Sequence, residues 1–175
     1  MAKRPIFIST IKGPLLVDEV EIEFIWHPGL SKSQKQKSIQ SLHGSAKDSL
    51  VVGNILEISS KSENELGVRL SAFNLTMENS TVECLFQGSK VFENGGPFTD
   101  IYGMASRDAK KDERLKSSGS LVKFRYENRD WPLSPQTVFY DWLYLSALRQ
   151  HPSLSRRLCE YTGFSDIEFN PEKSI

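Results

Sequence analysis

Ser80-Thr81-Val82-Glu83-Cys84-Leu85-Phe86-Gln87-Gly88-Ser89-Lys90-Val91-Phe92-Glu93 is the stretch on which the reading of this chain turns. Ser80 and Glu83 stand at the Ser-x-x-Glu spacing of a capping box, in which hydroxyl and carboxylate satisfy the first free N–H groups of a helix. Val82, Leu85, Phe86 and Phe92 follow as an apolar stripe, so a helix is predicted over 81–93, ended by Gly95-Gly96-Pro97. At about 100° per residue, Gln87, Lys90 and Asn94 fall on the same face as Glu83, opposite most of the apolar groups. Spacing alone favours a solvated face with Glu83 as a cap. A carboxylate and an ammonium on adjacent turns can also tune each other's protonation and face one substrate together.

Upstream, Val20-Glu21-Ile22-Glu23-Phe24 alternates as a half-buried strand and Pro28-Gly29 breaks it. The Ser/Gln/Lys-rich stretch 31–47 reads as a weakly held surface helix with a thin apolar stripe of Ile39, Leu42 and Ala46. Its Lys32, Lys35, Lys37 and Lys47 suit either a solvated face, the simpler reading, or phosphate contact. Ile55-Leu56-Glu57-Ile58 reads as a strand and residues 70–75 as a short extended piece.

Downstream, 107–116 reads as a charged helix and 121–126 as a strand. Ser134-Pro135 has the form of an N-cap with proline at the first helical position, opening a core helix through Val138, Phe139, Trp142, Leu145 and Leu148. A shorter helix from Pro152 carries Leu154, Leu158 and Tyr161 and ends by Gly163, and 167–169 reads as extended. The expectation is α+β: a single, mainly helical domain with a small β-sheet. Residues 1–54 form an N-terminal extension, with strand and lysine-rich helix, packed on a core of 55–175. Lys173-Ser174-Ile175 has no stop pattern, so the chain is expected to continue.

Composition narrows the class. The 175 residues are 38% hydrophobic and 25% charged, ordinary for a globular domain, and 22 Lys+Arg balance 22 Asp+Glu, so no global field draws the chain to nucleic acid or membrane. The first ten residues lack a secretory core and no stretch approaches a membrane span, which reads as cytoplasmic. Cys84 and Cys159 lie far apart and are expected as buried free thiols; His27, His43 and His151 are scattered. No metal or cofactor is expected. At Arg129-Asp130-Trp131-Pro132 an acid and a large aromatic end a strand, where Trp131 either stacks on a flat ring or, by a slight preference, plugs the core.

Thr81-Val82-Glu83-Cys84-Leu85-Phe86-Gln87-Gly88-Ser89-Lys90 resembles the NADAR/YbiA-like family, whose signature reads Thr-x-Glu-x-x-Phe-Gln-x-x-Lys. Leu70-Ser71-Ala72-Phe73-Asn74, Ala109-Lys110, Asp130-Trp131 and the close through Leu158, Tyr161-Thr162-Gly163 and Ile167-Glu168 follow in the family's order across roughly 55–170. The wording of 86–92 and 139–143 is similar to the NADAR antitoxins found beside DarT-type DNA ADP-ribosylating toxins. The first 50 or so residues exceed the minimal pattern, and an aromatic-rich close after Glu168 is missing.

The resemblance implies hydrolysis of an N-glycosidic bond: release of ADP-ribose from modified guanine in DNA, as antitoxin to a DarT-type toxin. Small ribosyl metabolites of the riboflavin pathway, or ADP-ribose binding without turnover, are the alternatives. Such a reaction needs an anion near the sugar and a proton donor near the leaving base. On this reading Glu83 stabilises the sugar cation or positions water, and Lys90 donates the proton or attacks as an amine. Gln87 orients hydroxyls, Asp130 supplies a second carboxylate and Trp131 packs on base or ribose. Lys61 and Lys110 face the pyrophosphate, with Ser71 and Asn74 as further substrate contacts.

Overall fold

The alternation at residues 20–24 is half of a longer ladder in the computed structural model, which describes residues 1–11, 16–49 and 53–169. Strand β1 (Ala2–Ser9) pairs antiparallel with β2 (Val17–Phe24), from Ala2↔Phe24 to Ser9↔Val17. Composition hid β1, because Pro5 and Arg4 interrupt its apolar run. Helix α1 (Lys32–Ser49) follows. Gln34 N donates to Ser31 Oγ at its start, and Lys47 complements the carbonyl end. Its thin stripe holds it more firmly than expected: Ile39, Leu42 and Ala46 are buried in one cluster with Ile6, Ile22, Phe24 and Ile167.

Strand β3 (Ile55–Glu57) and helix α2 (Glu65–Leu70) come next. Asn64 caps α2 by accepting from Leu66 N at 2.9 Å. Residues 70–75 are not extended: Leu70 closes α2, and Ser71 N turns back to the Gly67 and Val68 carbonyls. The two-residue strands β4 (Thr76–Met77) and β5 (Ser80–Thr81) form a hairpin that leads into α3 (Val82–Gly88). Strand β6 (Lys90–Phe92) follows at once, so the predicted helix stops five residues before position 93. A Cβ at Gly88 would stand 2.6 Å from the Tyr102 ring and 2.9 Å from the Phe98 carbonyl oxygen, which is why the turn closes on a glycine.

A 3-10 turn (Thr99–Gly103) precedes α4 (Ser106–Ala109) and α5 (Arg114–Ser117). The expected helix over 107–116 is thus broken, and Asp112 at the break accepts from Arg114 N and Nε. Strands β7 (Leu121–Tyr126) and β8 (Arg129–Trp131) complete a sheet of order β6-β7-β8, in which Lys90, Phe124 and Trp131 are aligned. Helix α6 (Val138–Arg149) starts three residues after Pro135, at N-cap position Thr137, whose carbonyl accepts the first helical bond from Asp141 N. That phase buries Phe139, Leu143 and Ala147 and leaves Leu145 59% exposed, against the expected core position.

Helix α7 (Pro152–Leu158) ends before Gly163, which instead opens β9 (Gly163–Ser165), parallel to β3 and antiparallel to β1. Residues 167–168 turn rather than extend, with Phe169 N bonded to the Asp166 carbonyl. The chain's end at 173–175 lies outside the described residues. The fold is α+β, and it divides into two compact units: Met1–Ser71 with Ser153–Ile175, holding the sheet β2-β1-β9-β3, and Ala72–Pro152. Among the described residues no helix is long and apolar enough to cross a membrane.

Candidate functional site

The start of α3 is capped one residue later than Ser80. Thr81 Oγ accepts from Cys84 N at 3.2 Å, while Val82 N and Glu83 N donate to the Leu75 and Ala72 carbonyls at 2.9 and 3.0 Å. With those N–H groups satisfied, the Glu83 carboxylate has no capping task. It is 6% exposed, and Gln87, 7% exposed, donates to it from Nε2 at 2.9 Å. Glu83 makes no ion pair among the described residues.

Lys90 is not on the helix but begins β6, beyond the Gly88-Ser89 joint. Ser89 is held three ways: its N donates to the Leu85 carbonyl, its O accepts from Arg125 N at 2.7 Å, and its Oγ meets Tyr102 Oη at 2.9 Å. The Lys90 ammonium stands 4.9 Å from the Phe86 ring centroid. Burial lowers its pKa, nearby Lys110 lowers it further, and the Glu83 charge pulls it back up. Lys110 Nζ lies 5.4 Å from the Phe73 ring centroid. The Phe73 carbonyl is tied to Ser106 Oγ, which also meets Thr81 Oγ at 2.7 Å. Glu83, Gln87, Lys90, Lys110 and the 72–74 turn are therefore linked along α3 from its first turn to the strand that follows it.

Asn94 leaves the supposed stripe, its N bonded to the Ser118 carbonyl beyond β6. Asn74 is exposed on the turn beside Phe73. Lys61 and Ser71 belong to the first unit, where Lys61 N donates to Ser59 Oγ and Ser71 closes α2. Asp130 accepts from Lys123 Nζ and Arg125 Nε, each at 2.6 Å, and these cations hold its carboxyl far below the usual range. Since Lys90, Phe124 and Trp131 share a register line, the adjacent Arg125–Asp130 pair projects from the opposite face, away from Lys90. Trp131 is 8% exposed, with its ring 4.9 Å from Trp142 and 5.5 Å from Phe139, so the core-plugging reading is the one its packing matches.

Two tyrosines escaped the sequence reading. Half-buried Tyr140 on α6 meets Phe86 edge-on at 5.3 Å, and Tyr144 one turn later stacks beside it at 6.4 Å. Their i, i+4 spacing was the available signal, masked by the apolar character of the whole helix. Cys84 is buried and its Sγ donates to the Met104 carbonyl, but Cys159 is exposed near the end of α7, against expectation. Among the described residues no group of His, Cys, Asp and Glu is arranged to hold a metal ion.

The first unit holds a polar network of its own. Glu57 accepts from Ser165 Oγ and from Ile167 N, and Ser165 Oγ also meets His43 Nε2 at 2.8 Å. Burial raises the Glu57 pKa, pushes Asp166 up to about 7 with help from Glu57, and pushes His43 down to about 4 with help from Lys47.

A family model described as DarT1-associated NADAR antitoxin matches residues 2–175. No curated protein matches the chain.

Proposed function

Because the chain belongs to the DarT1-associated NADAR antitoxin family, we propose that it is an N-glycosidase that removes ADP-ribose from guanine in DNA and so reverses its toxin's modification. The observation that carries this reading is the Glu83–Gln87 pair beside a partly desolvated Lys90. In the proposed reaction the ribosyl C–N bond breaks with its electron pair going to the guanine nitrogen. Glu83, held by the Gln87 amide, faces the positive charge that develops on the sugar and takes a proton from the attacking water. Lys90 protonates the leaving nitrogen, a role its lowered pKa eases near neutrality. Lys110, whose charge is felt by Lys90, answers the pyrophosphate in this reading.

Geometry also supports a redistribution of roles. Tyr140, edge-on to the Phe86 ring near Lys90, and Tyr144 stacked next to Tyr140 serve the leaving base in place of the buried Trp131. Asp130, committed to Lys123 and Arg125, has no part in the reaction.

The test is incubation with an oligonucleotide ADP-ribosylated on guanine. Wild type is expected to release free ADP-ribose, Glu83→Gln to lower turnover roughly 10²–10⁴-fold with binding retained, and Asp130→Asn to leave it near wild type. Binding without turnover by the wild-type protein sinks the enzymatic reading, and turnover of an aminopyrimidine ribotide alone moves the substrate to small metabolites. Borohydride trapping separates the two roles of Lys90: a covalent adduct identifies it as an amine nucleophile.

A further inference from the structure

We propose that the open edge of β2 is a docking site for an extended, basic segment of a protein partner, which adds to the sheet β2-β1-β9-β3 as a fifth strand. The ladder shows which groups are available. Ser9 N donates to the Thr162 carbonyl and Thr10 N to the Leu16 carbonyl, so odd positions of β1 turn away from β2 and even positions turn towards it. Through the pairs Ile8↔Asp18, Ile6↔Val20 and Arg4↔Ile22, the even positions of β2 spend their backbone groups on β1. Glu19, Glu21 and Glu23 direct theirs outward.

Just past the strand, α1 closes this edge. Ser41 Oγ accepts from Ile25 N at 3.0 Å and Ser38 Oγ from His27 N at 2.9 Å. Further along, Ser45, Asp48 and Ser49 of the helix line, with residues 20–23, an open cavity of about 500 Å³. Among the described residues nothing meets the outward groups of Glu19, Glu21 and Glu23. Such an unpaired ladder is a template for strand addition.

Charge decides the occupant. Asp18, Glu19, Glu21 and Glu23 crowd one eight-residue strand of a chain whose net charge is zero, and Asp48 adds to them. The Lys3–Glu21 pair at 2.9 Å is the cross-strand answer to them. A second copy of β2 pairing antiparallel would set Glu21 against Glu21 and Glu19 against Glu23, and like charges opposite one another are destabilising. A nucleic-acid backbone is repelled. A strand with lysine or arginine at every second position places its cations over Glu19, Glu21 and Glu23, and its alternate apolar residues beside Val20 and Ile22.

The probe is an acetylated nine-residue peptide alternating lysine and valine, added to the full chain and followed by amide exchange and salt dependence. Expected are slowed exchange at Glu19, Glu21 and Glu23 and an affinity that drops as salt is raised. Glu21→Pro removes one outward N–H while leaving the β1 ladder intact, and the double variant Glu19→Gln, Glu23→Gln keeps the amides but removes charge. Each is expected to weaken binding about tenfold or more with an unchanged fold by circular dichroism. The proposal is overturned by protection elsewhere, by equal binding of a glutamate-valine peptide, by Glu21→Pro binding as well as wild type, or by β2-mediated dimers forming in place of the peptide complex.

Discussion

The pKa of Lys90 is set by burial and by two charged neighbours of opposite effect, and each neighbour can be removed separately. Burial and Lys110 push it down while Glu83 pushes it up, so Lys110→Ala should raise its titration midpoint and Glu83→Gln should lower it further. NMR of the lysine side-chain ammonium reads both shifts, and identical midpoints in all three proteins would dissolve the cluster. The sign for stability follows. The folded protein gives up this proton at a lower pH than the unfolded chain, so stability contributed by Lys90 rises with pH between its lowered pKa and 10.5. The shared face of Glu83 and Gln87 was legible from helical spacing, whereas Lys90, expected on the same helical stripe, begins β6 because the chain leaves the helix at Gly88. Packing was less legible: the resemblance put Asp130 and Trp131 in one site, the residues alone slightly favoured Trp131 in the core, and the sheet register sends the two side chains to opposite faces.

At the scale of elements, α3 depends on its two ends. Thr81→Ala removes the cap to Cys84 N and the contact with Ser106 together, and should cost about 1–2 kcal/mol in a denaturant titration. Ser80→Ala, at the position the sequence pattern favours for the cap, should cost much less. Gly88→Ala drives a methyl group against Tyr102 and the Phe98 carbonyl, a clash worth about 1–3 kcal/mol, and an unchanged midpoint would refute that packing. Strands with clean alternation, such as β2 and β7, were readable in advance, as was the existence of every helix longer than ten residues. Boundaries were not. The helix over 81–93 was overextended because Val91 and Phe92 continue the apolar pattern, although they serve the sheet; β1 was missed because its apolar residues are interrupted by Arg4 and Pro5.

For the molecule as a whole, pH acts on the first unit through opposed groups, the raised carboxyls of Asp166 and Glu57 against the lowered imidazole of His43. Asp166 holds its proton up to about pH 7 when folded but only to 3.8 as an ordinary carboxyl, so its contribution to stability falls as pH rises across that interval. His43 is neutral down to about pH 4 when folded, against an ordinary 6.5, so its contribution rises with pH between those values. The two offset one another between about pH 4 and 6.5. Asp166→Asn should expose a melting temperature that climbs with pH in that range, and His43→Gln one that declines. Parallel profiles for the two variants would show that the network does not titrate as its burial implies.

The joint at Gly88-Ser89 separates the carboxylate of Glu83 from the amine of Lys90 by a change of secondary structure. With Ser89 latched to Leu85, Arg125 and Tyr102, the distance between acid and amine is set like that of two jaws on a riveted hinge, not by a repeating thread. One residue inserted at this link would shift the amine by a whole strand position and turn it to the other face of β6. Kindred arrangements in other chains are therefore best sought as an acid near the start of a helix and a lysine at the start of the next strand, with a short glycine-bearing link between them whose length does not vary.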